Sequence, residues 1–218
     1  MTAPGPTVVA LVSQKGGSGK STLTLHLAVA ALRSGRSVHV LDLDPQASAV
    51  AWSSLRASAD VPVTPLGPSE LRAFLARCSA SLVLLDTPGR LDSTSAAAIA
   101  LADFVLVPCR PSTLDLSAAR ATVDQVRRAR ALSKATFVLN GAPPSGSRHL
   151  EAESALADLL PVAPVVLRHR VAYADALAAG LSVEELAPDS PASVEIRRLY
   201  RWMLATPHAR MPALQPQA

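Results

Sequence analysis

An apolar run that ends in a glycine-rich turn is the feature that most restricts how this chain can fold. Residues 8–12 are all apolar, residues 13–19 contain three glycines, and apolar residues at helical spacing begin just after Lys20. A strand, a tight loop and a helix in this order form the first half of a unit in which helices join parallel strands. The stretch therefore predicts an α/β fold.

The alternation of apolar strands and helices continues along most of the chain. Strand patterns lie at 37–41, 81–85, 104–108, 136–139 and 162–167, with a short strand or loop at 61–66. Helical patterns lie at 21–34, 47–58, 69–78, 93–101, 112–131, 148–160, 173–179 and 193–204. Because the strands are apolar throughout, both faces of the sheet must be covered. We expect a mostly parallel, twisted sheet with helices on both faces.

Length and composition fit one domain with short ends. The chain has 218 residues, of which 49% are hydrophobic and 17% charged, enough to bury a sizeable core. We expect an N-terminal arm at 1–6, the domain at 7–205 and a disordered tail at 206–218. The sequence shows neither an 18-residue apolar run nor a secretory signal pattern, which predicts a cytoplasmic protein. Cys78 and Cys109 match no metal or disulfide pattern and are expected to be buried thiols.

The glycine-rich turn has the residue types of a phosphate-binding loop. Glycines let backbone N–H groups converge on an anion, and the start of the following helix adds partial positive charge. Lys20 can reach the outer phosphates, and the Ser21 hydroxyl can ligate Mg²⁺. The expected nucleotide-binding residues of the loop are Lys15, Gly16, Gly17, Ser18, Gly19, Lys20, Ser21 and Thr22. The pattern predicts a single-domain P-loop NTPase, and the alternative is a turn that binds no ligand.

Three carboxylates follow predicted strands beside this loop. Asp42 and Asp44 follow the strand at 37–41, and Asp86 follows the strand at 81–85. Ligands of open parallel sheets bind at the carboxyl ends of the strands. Asp42 and Asp86 are therefore candidates for a Mg²⁺ site with Ser21, Asp86 acting through water. The alternative is that Asp42 and Asp44 cap the next helix.

The loop resembles the deviant Walker A loop of the ParA/MinD superfamily. Gln14 stands where the general pattern has a glycine, and Lys15 adds a second lysine. The resemblance is closest to the short, ParF-like partition ATPases. In this family the early lysine crosses a dimer interface to the partner's nucleotide, which would make Lys15 catalytic together with Lys20. The alternative is that Lys15 is a solvated loop lysine.

Other segments carry the same resemblance. Residues 42–46 look like the family's D-x-D-P-Q switch, which assigns Asp44 to orienting the attacking water. Residues 86–89 resemble the second switch, although Gly89 replaces the proline of some members. Residues 108–115 resemble a loop that closes over the dimer interface, and 168–183 resemble a stretch before a glycine-ended helix.

Asn140 is the candidate for reading the base. It follows the strand at 136–139, where family members read adenine through an amide. The alternative is that Asn140 and Gly141 form an ordinary turn. The sequence contains no Asn-Lys-x-Asp motif for guanine, which favours ATP.

The resemblance implies a Mg²⁺-dependent ATPase that forms a sandwich homodimer with ATP and binds DNA without sequence preference. A ParB-like or other cargo-adaptor protein would stimulate hydrolysis. The cargo would be a plasmid, a chromosome region or a protein assembly, and the protein would be nucleoid-associated without a membrane partner. One alternative is a MinD-like membrane-associated division-site regulator, which needs an amphipathic C-terminal helix that three prolines after Thr206 disfavour. Another is a biosynthetic or reductase P-loop enzyme.

Clustered arginines are the candidates for DNA contact. The net charge of +4 permits DNA binding without requiring it. Such contacts should be sequence-independent and sensitive to salt. The alternative for each cluster is a solvated helix face. The candidates are Arg168, Arg170, Arg197, Arg198 and Arg201, with a further group at Arg127, Arg128 and Arg130.

Overall fold

The computed structural model describes residues 5–90 and 92–206, and within them it contains one parallel sheet. The strands lie in the order β3-β2-β4-β1-β5-β6, and every pairing between them is parallel. The strands are β1 (Thr7–Leu11), β2 (Val38–Asp42), β3 (Val63–Pro65), β4 (Leu82–Asp86), β5 (Phe104–Cys109) and β6 (Ala135–Leu139). The predicted single α/β domain with a parallel sheet is confirmed.

Helices cover both faces of this sheet. Along β1, Val9 and Leu11 pack into one apolar cluster, and Val8 and Ala10 pack into the other. The first cluster contains residues of α1, α2, α7 and α9, and the second contains residues of α3, α4, α5 and α6. The helices are α1 (Lys20–Arg33), α2 (Ser48–Leu55), α3 (Leu71–Leu75), α4 (Ser93–Leu101), α5 (Thr113–Arg128), α6 (Arg148–Ala157), α7 (Val171–Ala178), α8 (Val183–Leu186) and α9 (Pro191–Ala205).

The strand register brings the carboxyl ends of β1, β2 and β4 together. β1 lies between β4 and β5, so the loop that follows β1 leaves from the middle of the sheet. Leu11 pairs with Asp86 on one side of β4, and Asp42 pairs with Asp86 on the other. The strand ends are therefore level, and the acids that follow them lie beside the glycine-rich loop.

Some predicted boundaries were wrong. The segment 162–167 is not a strand, because Pro161 and Pro164 have no N–H groups to donate. It lies beside β6, where Val162 forms an isolated bridge to Phe137 and the N–H groups of Ala163 and Leu167 donate to the carbonyl oxygens of Phe137 and Leu139. The sequence analysis also missed α8, which is a single turn and too short to show a helical period.

The described residues contain no helix that is both long and apolar enough to span a bilayer. The predicted arm at 1–6 and tail at 206–218 lie outside the described residues, apart from residues 5, 6 and 206.

A buried histidine on α1 links the helical layer to α8. Its Nδ1 accepts the Val183 N–H at 3.3 Å, and its ring lies 5.3 Å from that of Tyr173. Burial lowers the pKa of His26 from 6.5 to about 4. The imidazole is therefore neutral in the folded protein at neutral pH.

We expect His26 to make stability depend on pH below neutrality. The unfolded chain takes up a proton near pH 6.5 and the folded chain only near pH 4, so stability is lost as the pH falls through this window. Between pH 7.5 and 5.0 the group should cost about 2 kcal/mol of unfolding free energy. Urea unfolding at both pH values measures the loss, and His26→Asn should reduce it. The exposed His169 provides the control variant His169→Asn, which should lose as much as the wild type.

Candidate nucleotide-binding site

The glycine-rich loop wraps around the side chain of Lys20. Gly17 and Gly19 have φ angles of +73° and +101°, which a residue with a Cβ rarely adopts. Lys20 is only 6% exposed, and its Nζ donates to the carbonyl oxygen of Lys15 at 3.3 Å. Burial lowers the pKa of Lys20, while the charges of Asp86 and Asp44 oppose this shift. The loop thus holds an ammonium group beside two carboxylates, where a phosphate chain would be attracted.

Asn140 lies on the outside of the loop. Its Nδ2 donates to the carbonyl oxygen of Ser18 at 2.7 Å, and a Cβ on Gly19 would lie 2.0 Å from this Nδ2. The amide nitrogen therefore fixes the loop backbone. Asn140 is absent from the described residues that line the adjoining cavity. Reading of adenine by Asn140 remains a proposal.

Gly19→Ala should destabilise the nucleotide-free protein by about 2 kcal/mol, because it forces a Cβ into a left-handed conformation and displaces Asn140. Thermal unfolding measures the change. Gly16→Ala is the matched control, since a Cβ there would meet nothing within 4 Å. Equal melting temperatures for the two variants would contradict the prediction.

Asp86 is a buried carboxylate beside Ser21 and Lys20. It ends β4, is fully buried, and neither of its oxygens accepts a hydrogen bond within the described part of the chain. Burial raises its pKa to about 7, with Asp42 acting in the same direction and the nearby Ser21 hydroxyl and Lys20 opposing it. Burying a carboxylate in this way costs free energy unless a cation or its water ligands bind the carboxylate oxygens.

Asp42 has a different environment. It is 2% exposed, and its oxygens accept the backbone N–H groups of Asp44 at 3.1 Å, Ala49 at 2.9 Å and Val50 at 3.1 Å. The structure therefore shows the capping alternative for Asp42, at the start of α2. A role for Asp42 at the metal would compete with these bonds.

Asp44 lies in the turn between β2 and α2. Its Oδ1 accepts the Gln46 N–H at 3.0 Å, and the residue lines the cavity beside Lys20 and Ser21. A carboxylate at this position can accept a proton or orient a water molecule near a bound phosphate.

The cavity next to the loop has a volume of about 620 Å³ and is lined by both polar and apolar residues. The loop glycines and the polar residues are Gly16, Gly17, Gly19, Lys20, Ser21, Thr22, Asp44, Gln46, Ser48 and Gly89. The apolar residues are Leu25, Ala51, Trp52, Leu55, Leu177 and Ala178. The part of the cavity beside the loop can take a phosphate chain.

Gly89, which stands where some family members have proline, lies against the phosphate loop. A Cβ on Gly89 would lie 3.0 Å from the Cα of Gly16, a tight contact that would require the loop backbone to shift by a few tenths of an ångström. Since Gly89 follows Asp86 by three residues, the segment 86–89 contacts the phosphate loop directly. A glycine permits this close approach of two backbones.

The residues present fit a Mg²⁺ ion. The two unpaired oxygens of Asp86 and the hydroxyl of Ser21 are hard oxygen donors of the kind that Mg²⁺ binds directly or through water. When bound, such an ion would neutralise charge on the phosphates.

Lys15 points away from the cavity and forms an ion pair with α5. Its Nζ lies 2.7 Å from Oδ2 of Asp115, which is only 5% exposed and also contacts the Ser112 hydroxyl. Lys15 is not among the described residues that line the cavity. The sequence analysis missed Asp115 as a partner, although this acid ends the segment 108–115. The Lys15 side chain is 38% exposed, and its action at a partner's nucleotide is a proposal.

Two of the candidate DNA-contacting arginines are half-buried and donate hydrogen bonds to other residues of the protein. Arg170 donates to Oε1 of Glu195 at 2.7 and 3.1 Å. Arg168 donates to the carbonyl oxygen of Pro143 at 2.8 Å. These bonds support the architecture around α7 and α9 and would compete with DNA.

The arginines of α9 and α5 differ in how they are held. Arg197 donates to Ser193 Oγ at 2.6 Å and to the Pro188 carbonyl oxygen at 2.8 Å, while Arg198 and Arg201 are exposed. Arg127, Arg128 and Arg130 are also exposed, and Arg127 forms an ion pair with Asp124. Exposure leaves Arg198 and Arg201 as the accessible members of the first group.

Comparison with known proteins identifies the family of this chain. A sequence profile described as the CobQ/CobB/MinD/ParA nucleotide binding domain matches residues 9–183. The chain belongs to this family. It is 31% identical to the maintenance of carboxysome distribution protein A of Halothiobacillus neapolitanus, over 82% of this chain and 87% of that protein. It is 30% identical to the chromosome-partitioning ATPase Soj of Thermus thermophilus, over 90% of this chain and 95% of Soj.

A solved structure confirms the fold. The ATP complex of a variant of Cyanothece McdA is similar with a TM-score of 0.72 at 17% identity, covering 93% of this chain and 97% of that chain. The P-loop α/β architecture predicted from the sequence is therefore shared by this family.

Proposed function

We propose that this protein is a Mg²⁺-dependent ATPase of the ParA type, which forms a homodimer with ATP, binds DNA non-specifically and positions a cargo. The observation that carries the proposal is the pair of lysines in the loop. Lys20 is enclosed by the loop beside the cavity, whereas Lys15 is directed to Asp115 and away from it. A second loop lysine that does not serve its own cavity is available for a nucleotide in a second subunit.

Each residue of the site has a role in this proposal. Lys20 and the loop N–H groups bind the phosphates, and the residues that would hold Mg²⁺ are Ser21 and Asp86. Asp44 orients the attacking water. Lys15, released from Asp115, neutralises charge on the partner's nucleotide as phosphate is lost.

The printed functions of the relatives support cargo positioning. One relative maintains carboxysome distribution and the other is a chromosome-partitioning ATPase. A cargo-adaptor protein, ParB-like or specific to a protein assembly, would stimulate hydrolysis. The proposed site of action is the nucleoid in the cytoplasm.

Sedimentation velocity with ATP or ADP tests the dimer. The ATP-loaded protein should sediment as a dimer and the ADP-loaded protein as a monomer, while Lys15→Ala should bind ATP as a monomer. A wild-type protein that stays monomeric with ATP would contradict the proposal.

Binding to duplex DNA and to anionic liposomes, each with ATP and ADP, separates the two partner classes. ATP-dependent DNA binding with a steep salt dependence supports the proposal. ATP-dependent liposome binding without DNA binding would favour the membrane-associated alternative.

A further inference from the structure

A small cavity between α1, α8 and α9 contains a buried acid. The cavity has a volume of about 240 Å³ and lies at the end of α1 opposite the phosphate loop. Glu184, on α8, is 5% exposed, and its Oε1 has no hydrogen-bond partner within the residues described. Burying a carboxylate with an unpaired oxygen costs free energy, and attraction to nearby cations offsets this cost.

Three arginines surround this carboxylate. Nε of Arg33, at the end of α1, lies 3.8 Å from Oε2 of Glu184, and the Arg33 side chain is 50% exposed. Arg197 and Arg201 on α9 line the same cavity and attract the same carboxylate. Arg201 and the adjacent Arg198 are exposed. We call Arg33, Arg197, Arg198 and Arg201 the α1–α9 surface.

Phosphate groups would compete with Glu184 for these side chains. The α1–α9 surface carries four positive charges, and the buried Glu184 carries a negative charge next to them. A phosphate approaching from solvent meets the exposed side chains of Arg33, Arg198 and Arg201, and Glu184 attracts Arg33 and Arg201 inward. Arg170 differs from these arginines, because its guanidinium group is bound directly to Glu195.

We propose that the α1–α9 surface binds the phosphate backbone of duplex DNA, and that Glu184 is an internal competitor that weakens this binding. The proposal rests on the proposed function, because it assigns the DNA contact of that function to particular residues. Arg33 was not a candidate from the sequence. It joins the surface only because α1 and α9 pack side by side.

Fluorescence anisotropy with labelled duplex DNA and the ATP-loaded full-length protein tests the proposal. Glu184→Gln keeps the size of the side chain and removes its charge, so it should tighten binding by about threefold to tenfold at 0.1 M salt. Arg33→Gln should weaken binding and reduce the slope of log K against log salt by about 1.8, because the ATP-bound dimer loses one phosphate contact in each subunit. Circular dichroism and ATP affinity should remain at wild-type values in both variants.

Glu151→Gln is the matched control, since Glu151 is an exposed acid on α6, in the other helical layer. It should change DNA affinity less than twofold. If the wild type binds DNA but Glu184→Gln and Arg33→Gln bind as it does, the inference is overturned and the proposed function stands. If the ATP-loaded wild type fails to bind DNA, the DNA part of the proposed function fails.

Discussion

Replacing Lys20 with alanine is expected to weaken ATP binding by about 100-fold. Lys20 is 6% exposed, and its ammonium group lies within the loop and lines the cavity. Removing one member of a buried charge pair typically costs several kcal/mol, which corresponds to two or more orders of magnitude in affinity. Isothermal titration calorimetry with ATP and Mg²⁺ measures the change.

Lys134 offers the control for this experiment. The chain contains only three lysines. Lys134 lies just before β6, at the amino ends of the strands, whereas the loop lies at their carboxyl ends. Lys134→Ala should bind ATP as the wild type does. Wild-type ATP affinity in Lys20→Ala, in a protein with an unchanged circular dichroism spectrum, would remove the assignment of the loop to phosphate binding.

Asp44→Ala is expected to slow ATP hydrolysis by about 100-fold while ATP binding is retained. Asp44 lines the cavity, and its carboxylate makes one described hydrogen bond, from the backbone of Gln46. Its side chain is therefore free to orient a water molecule, and groups in this role contribute about 10²-fold or more. Single-turnover hydrolysis and ATP titration separate the chemical step from binding.

Two variants distinguish this role from a general effect of charge. Asp44→Asn keeps the shape of the side chain and should be almost as slow as Asp44→Ala. Asp158→Ala removes an exposed acid just after α6 and should hydrolyse ATP normally. Rapid turnover in Asp44→Ala would assign the water to another residue.

The fold could be predicted because its evidence is local. The apolar strands, the glycine-rich loop and the following helix are continuous in sequence, and each element has a recognisable period. α8 could not be found in this way, since a single turn has no period. The segment 162–167 has strand composition, but prolines prevent it from forming a ladder.

The candidate site was only partly predictable for the same reason. Lys20, Ser21 and Asp86 are identified by position relative to strands. In the structure Lys20 and Ser21 line the cavity, and the buried Asp86 lies next to both. The ion pair between Lys15 and Asp115 joins residues 100 positions apart, which no local pattern indicates. Likewise, sequence clustering could not distinguish Arg170, bound to Glu195, from the exposed Arg198.

The bond between Lys15 and Asp115 limits how strongly two subunits could hold each other. If Lys15 moves to a nucleotide in a second subunit, it exchanges one anion for another and does not gain a first partner. The contribution of Lys15 to the assembled state would be the difference between these two attractions. Loss of the terminal phosphate would remove one of the two attractions and return Lys15 to Asp115, which suits the proposed cycle in which subunits associate and separate.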